Sequence, residues 1–307
     1  SAAAAVPRVA ARPARPPTTP APRLRHLTAL QDLRLKLSND CTIDGSVLAG
    51  AQHLTCLQLH GCDADVVIHP GVLAGKTQLQ HLAVGYIIDG GSAGVTELLS
   101  HLQHMQQLTY LSLNCTLEAT APAAADYSAL TASSNLRLLD VRDCTVPVGA
   151  WQHIFPSGRQ LPHLQVLEIG EMHTPEGPAA APEGSRLVSC CPGLQTLSMQ
   201  QLQYSSELLA PLTGLSSLQE LSLEPKNSLG EGLEVVCQLT GLRRLELELP
   251  IEAGDQLLQL TQLQQLTHLE YTGCMDSRYF FEECSMEVGL GAGCVGASRA
   301  SAVLLEL

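Results

Sequence analysis

Leucine recurs at fixed positions along most of the chain. Within residues 215–274 the sequence reads LSSLQELSL, LTGLRRLEL and LQQLTHLEY, and the units that begin at Leu218, Leu242 and Leu266 are 24 residues apart. In each L-x-x-L-x-L unit the last two leucines alternate with polar residues, as in a strand with one buried and one solvated face. A constant period of this length predicts a repeat array in which each strand packs against the next.

The same frame extends towards the N-terminus. Ten units are found, and their starting points are separated by 24 to 30 residues. Val84, Val141, Ile169, Met199 and Tyr271 replace the third leucine, so the position stays apolar in every unit. The units begin at Leu30, Leu54, Leu79, Leu108, Leu136, Leu164, Leu194, Leu218, Leu242 and Leu266.

These units resemble the leucine-rich repeat family from about Leu27 to Cys274. The resemblance implies an α/β solenoid: a horseshoe with a concave parallel β-sheet and short helices or turns on the convex side. Many members place Asn or Cys three residues after the last leucine of the strand, and here only Cys62, Cys144 and Cys274 do so. We therefore expect an irregular array, with these three cysteines as small buried side chains.

Three regions follow from this frame. Residues 1–23 are rich in Ala, Pro and Arg, and they are predicted to form a disordered arm or to be the remnant of an organelle-targeting segment. Residues 24–274 form the repeat domain. Residues 275–307, where the leucine frame stops, are predicted to be either a C-terminal cap or an unstructured tail.

The cap hypothesis makes two specific predictions. An array must protect its last layer from water, so Phe280 or Phe281 is expected to cover unit ten. Residues 303–307, in SAVLLEL, are expected to add an edge strand beside Leu269 and Tyr271.

Helices are expected between the strands, on the outer side of the array. Residues 97–105 place Leu98, Leu102 and Met105 at helical spacing, and residues 184–191 and 206–213 have room for shorter turns. The units of 28 to 30 residues should therefore have a thicker outer wall than the 24-residue units.

Composition excludes several classes of function. Residues 1–37 hold seven of the 17 basic residues and one acid, which leaves ten basic and 29 acidic residues in the remainder. This balance opposes nucleic-acid binding. No run of 18 apolar residues is present, so no membrane insertion is expected. The 11 cysteines are scattered rather than paired in caps, which favours a reducing, cytoplasmic location.

Other motifs lack the context that their chemistry needs. The glycines of residues 291–296 match a dinucleotide fingerprint, but no acid follows at the required distance. His101 and His104 are one helical turn apart without the partner ligands that zinc requires. Cys191, next to Cys190, occupies a core position of the frame. We expect no cofactor, no metal and no enzymatic activity.

The residues between and just after the strand leucines should face the concave side. A central column runs from Arg34 to Glu270 and a second column runs from Lys36 to Thr272. Both columns begin basic and end acidic, and the acids of units five to ten extend over roughly 25 Å at a strand spacing of ~4.8 Å. Acids on this face either recognise a basic partner or only maintain solubility. The candidate partner-binding residues are Asp140, Arg142, Glu168, Glu224, Glu246, Glu248 and Glu270.

The sequence favours a non-catalytic protein-interaction scaffold that binds a basic protein partner. Two alternatives remain. CCPGLQTL resembles the cysteine-containing repeats of F-box proteins, which implies the substrate-recognition subunit of a ubiquitin ligase. The short repeats rich in glutamine and alanine also resemble leucine-rich repeat proteins of the cytoskeleton and the ciliary axoneme.

Overall fold

A parallel sheet of ten consecutive repeat strands forms the inner wall of the protein. The computed structural model describes residues 26–37, 42–61, 67–85, 91–114, 123–142, 144, 149–170, 184–202, 209–225, 232–250, 258–274 and 284–289. Each repeat strand pairs with the strand of the next repeat, and the sheet does not close on itself. The predicted fold, a leucine-rich repeat horseshoe with a concave parallel sheet, is confirmed.

Every predicted unit contributes one strand to this sheet. A separate pair of two-residue strands, β2 (Thr42–Ile43) and β4 (Val67–Ile68), forms a second small parallel sheet. The repeat strands are β1 (Asp32–Leu37), β3 (Cys56–Gly61), β5 (His81–Gly85), β6 (Tyr110–Asn114), β7 (Leu138–Val141), β8 (Val166–Ile169), β9 (Thr196–Leu202), β10 (Glu220–Pro225), β11 (Arg244–Pro250) and β12 (His268–Cys274).

The leucine frame sets the strand register. Leu221 of β10 pairs with Leu245 of β11, which pairs with Leu269 of β12. Leu221 and Leu245 are buried and Leu269 is partly buried at the end of the column. Equivalent leucines therefore stack directly on one another, and the core is a row of aliphatic layers.

A repeated main-chain contact joins neighbouring repeats just before each strand. The carbonyl oxygen of Gln80 accepts hydrogen bonds from the amides of Thr109 at 2.8 Å and Tyr110 at 3.1 Å. The same pair of bonds recurs between the other successive repeats. Main-chain groups at the start of the strands are thus satisfied by the adjacent repeat.

Short helices cover the convex side, as predicted. The helix in the 29-residue third unit is the longest, and Leu98, Leu102 and Met105 are buried beneath it. The helices in the 24-residue units have five residues each. The α-helices are Gly91–Leu102, Trp151–Ile154, Gly184–Cys190 and Gly232–Val236, and the 3₁₀-helices are Pro70–Leu73, Ala124–Thr131, Ala210–Gly214 and Leu258–Gln262.

One core layer contains a lysine. Three residues before the first leucine of a unit, most repeats place a buried apolar residue such as Met105, Leu161 or Cys191. Lys76 occupies this position in the third unit and is only 2% exposed. Its amine has no hydrogen-bond or ion-pair partner among the residues that the structure describes. Burial lowers the pKa of Lys76, because the charged ammonium loses its hydration.

The outer edge of β12 is paired with an additional strand. β13 (Cys284–Gly289) lies antiparallel to β12, with Val288 opposite Leu269 and Met286 opposite Tyr271. The leucine frame assigned this place to residues 303–307, and that assignment was wrong. The edge of β12 is thus occupied by a segment that does not follow the leucine frame.

Several predicted features fall outside the described residues. They include residues 303–307 themselves, the arm at residues 1–23, and the ring positions of Phe280 and Phe281. The disordered arm and the covering of unit ten by Phe280 or Phe281 remain predictions.

Replacing Leu245 by Ala should lower the free energy of unfolding by about 2 to 5 kcal/mol, because a fully buried layer loses its packing. Thermal or denaturant melts measure this. Leu27→Ala, at a position that is 46% exposed, is the matched control and should have little effect. A Leu245→Ala variant that melts within a degree of the parent would contradict the frame.

Replacing Lys76 by Met should raise the free energy of unfolding by about 0.5 to 2 kcal/mol, because Met fills the layer without a charge. The pKa of Lys76 is lowered in the fold, so the unfolded chain binds more protons and the stability of the parent rises as the pH approaches 10.5. The gain from Met should therefore be largest at neutral pH and shrink towards alkaline pH.

Denaturant melts at several pH values test this. Lys36→Met, at an exposed position of β1, is the control and should show no such dependence. A neutral or destabilising effect of Lys76→Met at pH 7 would show that the ammonium is well accommodated.

Candidate binding surface on the concave face

The central column of the concave face is continuous from the first repeat to the tenth. Each of its members is paired with the equivalent residue of the next strand, so the row predicted from the sequence is present in full. Asp140, Glu168, Glu246 and Glu270 lie in it. The column reads Arg34, Gln58, Ala83, Ser112, Asp140, Glu168, Ser198, Ser222, Glu246 and Glu270.

The second column is interrupted. Its basic end is continuous in the ladder from Lys36 to Asn114. Arg142 then follows the end of β7 and has no ladder partner in β6. Glu224 pairs with Gln200, and Glu248 pairs with Thr272. Arg142, Glu224 and Glu248 hold equivalent positions of the leucine frame but do not form one unbroken row in the sheet.

A third column on this face was missed by the sequence analysis. It lies two residues before the central column, at the start of the strands, where alternation with period two places side chains on the same face. In four adjacent repeats it consists of His81, Tyr110, Leu138 and Val166, which are paired in register and half-buried. We call these four residues the apolar strip. The alternation rule that located the central column would also have located this one.

Arginines partly compensate the acids of the central column. Arg142 lies 3.1 Å from Asp140 Oδ1 and 2.9 Å from Glu168 Oε2. Arg244 lies 2.6 Å from Glu246 Oε1 and 3.5 Å from Glu270 Oε2. Each arginine therefore bridges acids of two adjacent strands, which relieves the repulsion between like charges in neighbouring positions.

The acidic half of the face keeps an excess of negative charge. In β7 to β12 and the residue after β7, the three columns contain seven acidic residues and two arginines. Partial burial and the neighbouring Asp140 raise the pKa of Glu168, while Arg142 acts in the opposite direction. The acids follow from the sequence but their pairing does not, because Arg244 lies outside the two predicted columns and Arg142 reaches Glu168 on the adjacent strand.

A hydrogen-bonded network links the apolar strip to the acids. The Gln58 amide donates to His81 Nε2 at 2.6 Å, and the rings of His81 and Tyr110 stack with centroids 3.9 Å apart. Ser112 Oγ donates to Asp140 Oδ2 at 3.0 Å.

Burial and the nearby charges of Asp140 and Glu168 raise the pKa of Tyr110. Burial and the positive Arg34 lower the pKa of His81.

Gly170 holds the main chain of two repeats close together beside this network. It follows β8, and a Cβ at this position would overlap the main-chain carbonyl of Arg142. Gly85, at the equivalent position of the third repeat, has only ordinary contacts, with His60 Nδ1 at 3.5 Å. A glycine is therefore required where Arg142 is held between Asp140 and Glu168.

The other cysteine and histidine candidates are buried in the core or paired with neighbouring groups, as expected of residues with a structural role. Cys191 is fully buried, as predicted, and Cys190 beside it is a free thiol. Cys144 is buried and its thiol donates to the carbonyl of Leu113 at 3.2 Å, which confirms its structural role. His101 lies 3.5 Å from Glu97 on the same helix. Among the residues described, no group of His, Cys, Asp and Glu is arranged to hold a metal ion.

A polar cleft of about 310 Å³ opens at the edge where the strands of repeats three to six begin. Its hydrogen-bonding groups are partly used by the main chain, since Thr109 Oγ1 donates to the Gln80 carbonyl and Asn135 Nδ2 to the Gln106 carbonyl. Ligand sites for small molecules are mostly apolar and enclosed, so we assign no site here. The cleft is lined by Gln80, Gln107, Thr109, Asn135, Arg137 and His163.

Three solved structures similar to this chain have 15 to 19% sequence identity to it. No protein-family profile and no curated protein matches the chain. An internalin from Listeria monocytogenes has 15% identity, covering 80% of this chain and 74% of the internalin at a TM-score of 0.41. A leucine-rich repeat protein from Leptospira interrogans has 19% identity, covering 83% and 81% at a TM-score of 0.32.

A plant peptide hormone receptor, solved in complex with RGF2, has 16% identity, covering 79% of this chain and 44% of the receptor at a TM-score of 0.42. The strand order and register of this chain itself define the class: a leucine-rich repeat solenoid. In the described part of the chain, no helix has the length and apolar character needed to cross a bilayer.

Replacing Gly170 by Ala should destabilise the protein by about 1 to 3 kcal/mol, because the new methyl group displaces the Arg142 main chain. Loss of the Arg142 contact should also raise the pKa of Glu168 further, which NMR titration of the carboxyl group measures. Gly85→Ala is the matched control. If both variants melt alike and Glu168 titrates as in the parent, the close approach at Gly170 is disproved.

Proposed function

We propose that this protein is a non-catalytic interaction scaffold that binds a basic protein partner on its concave face. In this proposal the repeat domain, residues 24–274, supplies the surface, with residues 1–23 as a disordered arm and residues 275–307 as a C-terminal cap or tail. The proposal keeps the reducing, cytoplasmic setting predicted from the cysteines. The observation that carries it is the unbroken central column, which places acids of several repeats in one row.

The charge distribution supports a basic partner rather than an acidic one. The arginines that pair with the acids leave a net negative surface in repeats five to ten, and the curvature of the sheet concentrates its field on the concave side. A field of this kind accelerates the encounter with a positively charged partner. It disfavours nucleic acid, whose phosphates would be repelled.

Polar and apolar residues alternate along each strand, so a solvated sheet face carries polar residues whether or not it binds a partner. The arrangement of the charges supports recognition further, because Arg142 and Arg244 each join two strands. Acids held in fixed positions lose less conformational freedom when a partner binds. The proposal therefore rests on the fixed positions of the charged side chains as well as on their number.

The triple variant with Glu246, Glu248 and Glu270 replaced by Gln should slow association with a Lys/Arg-rich peptide about tenfold at low salt, because steering is lost. It should also flatten the salt dependence of the association rate. Stopped-flow fluorescence measures both effects on the full chain.

A charge-matched control distinguishes steering from a change in overall charge. Glu97, Asp126 and Glu234 lie on convex helices, and replacing them by Gln, Asn and Gln changes the net charge equally. The association rate of this control variant should stay near that of the parent. Equal low-salt rates for the parent and the concave triple variant would disprove the proposal.

A further inference from the structure

The apolar strip is confined to the centre of the concave face. Repeats one and two place Asp32 and Cys56 in this column, and repeat seven places Thr196 there. Between them, His81, Tyr110, Leu138 and Val166 lie on four adjacent strands and extend over roughly 14 Å. Protein interfaces concentrate binding energy in a central patch of aromatic and apolar residues within a polar rim.

The strip is held rigid before any partner binds. Tyr110 stacks on His81 with an interplanar angle of 13°. His81 is fixed on its other side by the Gln58 amide. An aromatic ring that is already fixed gives a large contact area at small entropic cost.

The strip and the acids are adjacent on the same strands. Leu138 is two residues from Asp140 on β7, and Val166 is two residues from Glu168 on β8. Side chains two residues apart on a strand lie roughly 7 Å apart on one face. An apolar surface and fixed carboxylates are therefore presented side by side, within reach of one short segment of a partner.

We propose that the partner binds through an extended segment in which large apolar or aromatic residues alternate with basic residues. The apolar side chains pack on Tyr110, Leu138 and Val166. The basic side chains contact the acids of the central column, from Asp140 towards Glu270. This inference rests on the proposed function and adds to it: charge accelerates the encounter, and the strip determines which basic segments remain bound.

A panel of four synthetic peptides of about ten residues, long enough to cross seven strands when extended, tests the inference. The first alternates Lys or Arg with Leu or Tyr; the second replaces its apolar residues by Ser. The third replaces its basic residues by Glu, and the fourth replaces them by Ser. Fluorescence anisotropy with the full chain, at low and high salt, gives the four affinities.

The variants separate the role of the strip from that of the acids. Val166→Thr keeps the size and β-branching of the side chain, and it is combined with Leu138→Thr in a double variant. If the double variant melts at a lower temperature than the parent, the affinities are measured with the single Val166→Thr variant instead. Thr196→Ala, in the same column one strand beyond the strip, is the control and should bind as the parent does.

The basic and apolar peptide should bind about tenfold more tightly than the basic peptide with Ser, a difference expected of one hot-spot contact. The advantage should persist at high salt, because apolar contacts are not screened. In the strip variants this advantage should shrink, while the basic peptide with Ser should bind as it does to the parent.

Three results would overturn the inference. Equal binding of both basic peptides would leave the proposed function intact and remove the role of the strip. Equal binding of all three apolar peptides would show a non-selective surface and contradict both proposals. Failure of every peptide to bind would also contradict both.

Discussion

In-register stacking of leucine layers is the constraint on which the rest of the structure depends. Because Leu221, Leu245 and Leu269 are paired across consecutive strands, the polar residues between the leucines are paired as well. The packing of the core thus determines which residues lie side by side on the concave face, although the core residues are not themselves part of that face. A change of register by one residue would exchange the buried and the exposed sets, so the concave face and the core are specified by the same pattern.

The sequence predicted the features that depend on this alternation. All ten strands and every member of the central column lie where the leucine frame placed them. It did not predict the ion pairs of Arg142 and Arg244, since these depend on side-chain positions across strands. The strand β13 was also missed, because the segment after Cys274 lacks the leucine frame and forms an antiparallel pair that follows no repeat rule.

The candidate surface combines two kinds of interaction that differ in range. The acids act over about a Debye length in physiological salt, about 8 Å, and the apolar strip acts only in contact. Gly170 links them structurally, because the close approach it permits places Arg142 between Asp140 and Glu168. A glycine after β8 and a leucine on the concave side of β7 thus contribute to the surface, although neither residue type carries obvious chemistry.

Lys76 has a consequence for how the array opens. In a solenoid each repeat contacts only its neighbours. The free energy of unfolding is therefore approximately a sum of contributions from single repeats and from the interfaces between neighbouring repeats. A weak interface lowers the free energy needed to open the array at that point. Lys76 is 2% exposed and occupies the frame position that Ala51 and Met105 occupy in the neighbouring repeats. The cost of burying Lys76 therefore falls on the contacts that the third repeat makes with its neighbours, whereas the acids of the central column from Asp140 onwards lie two or more repeats away.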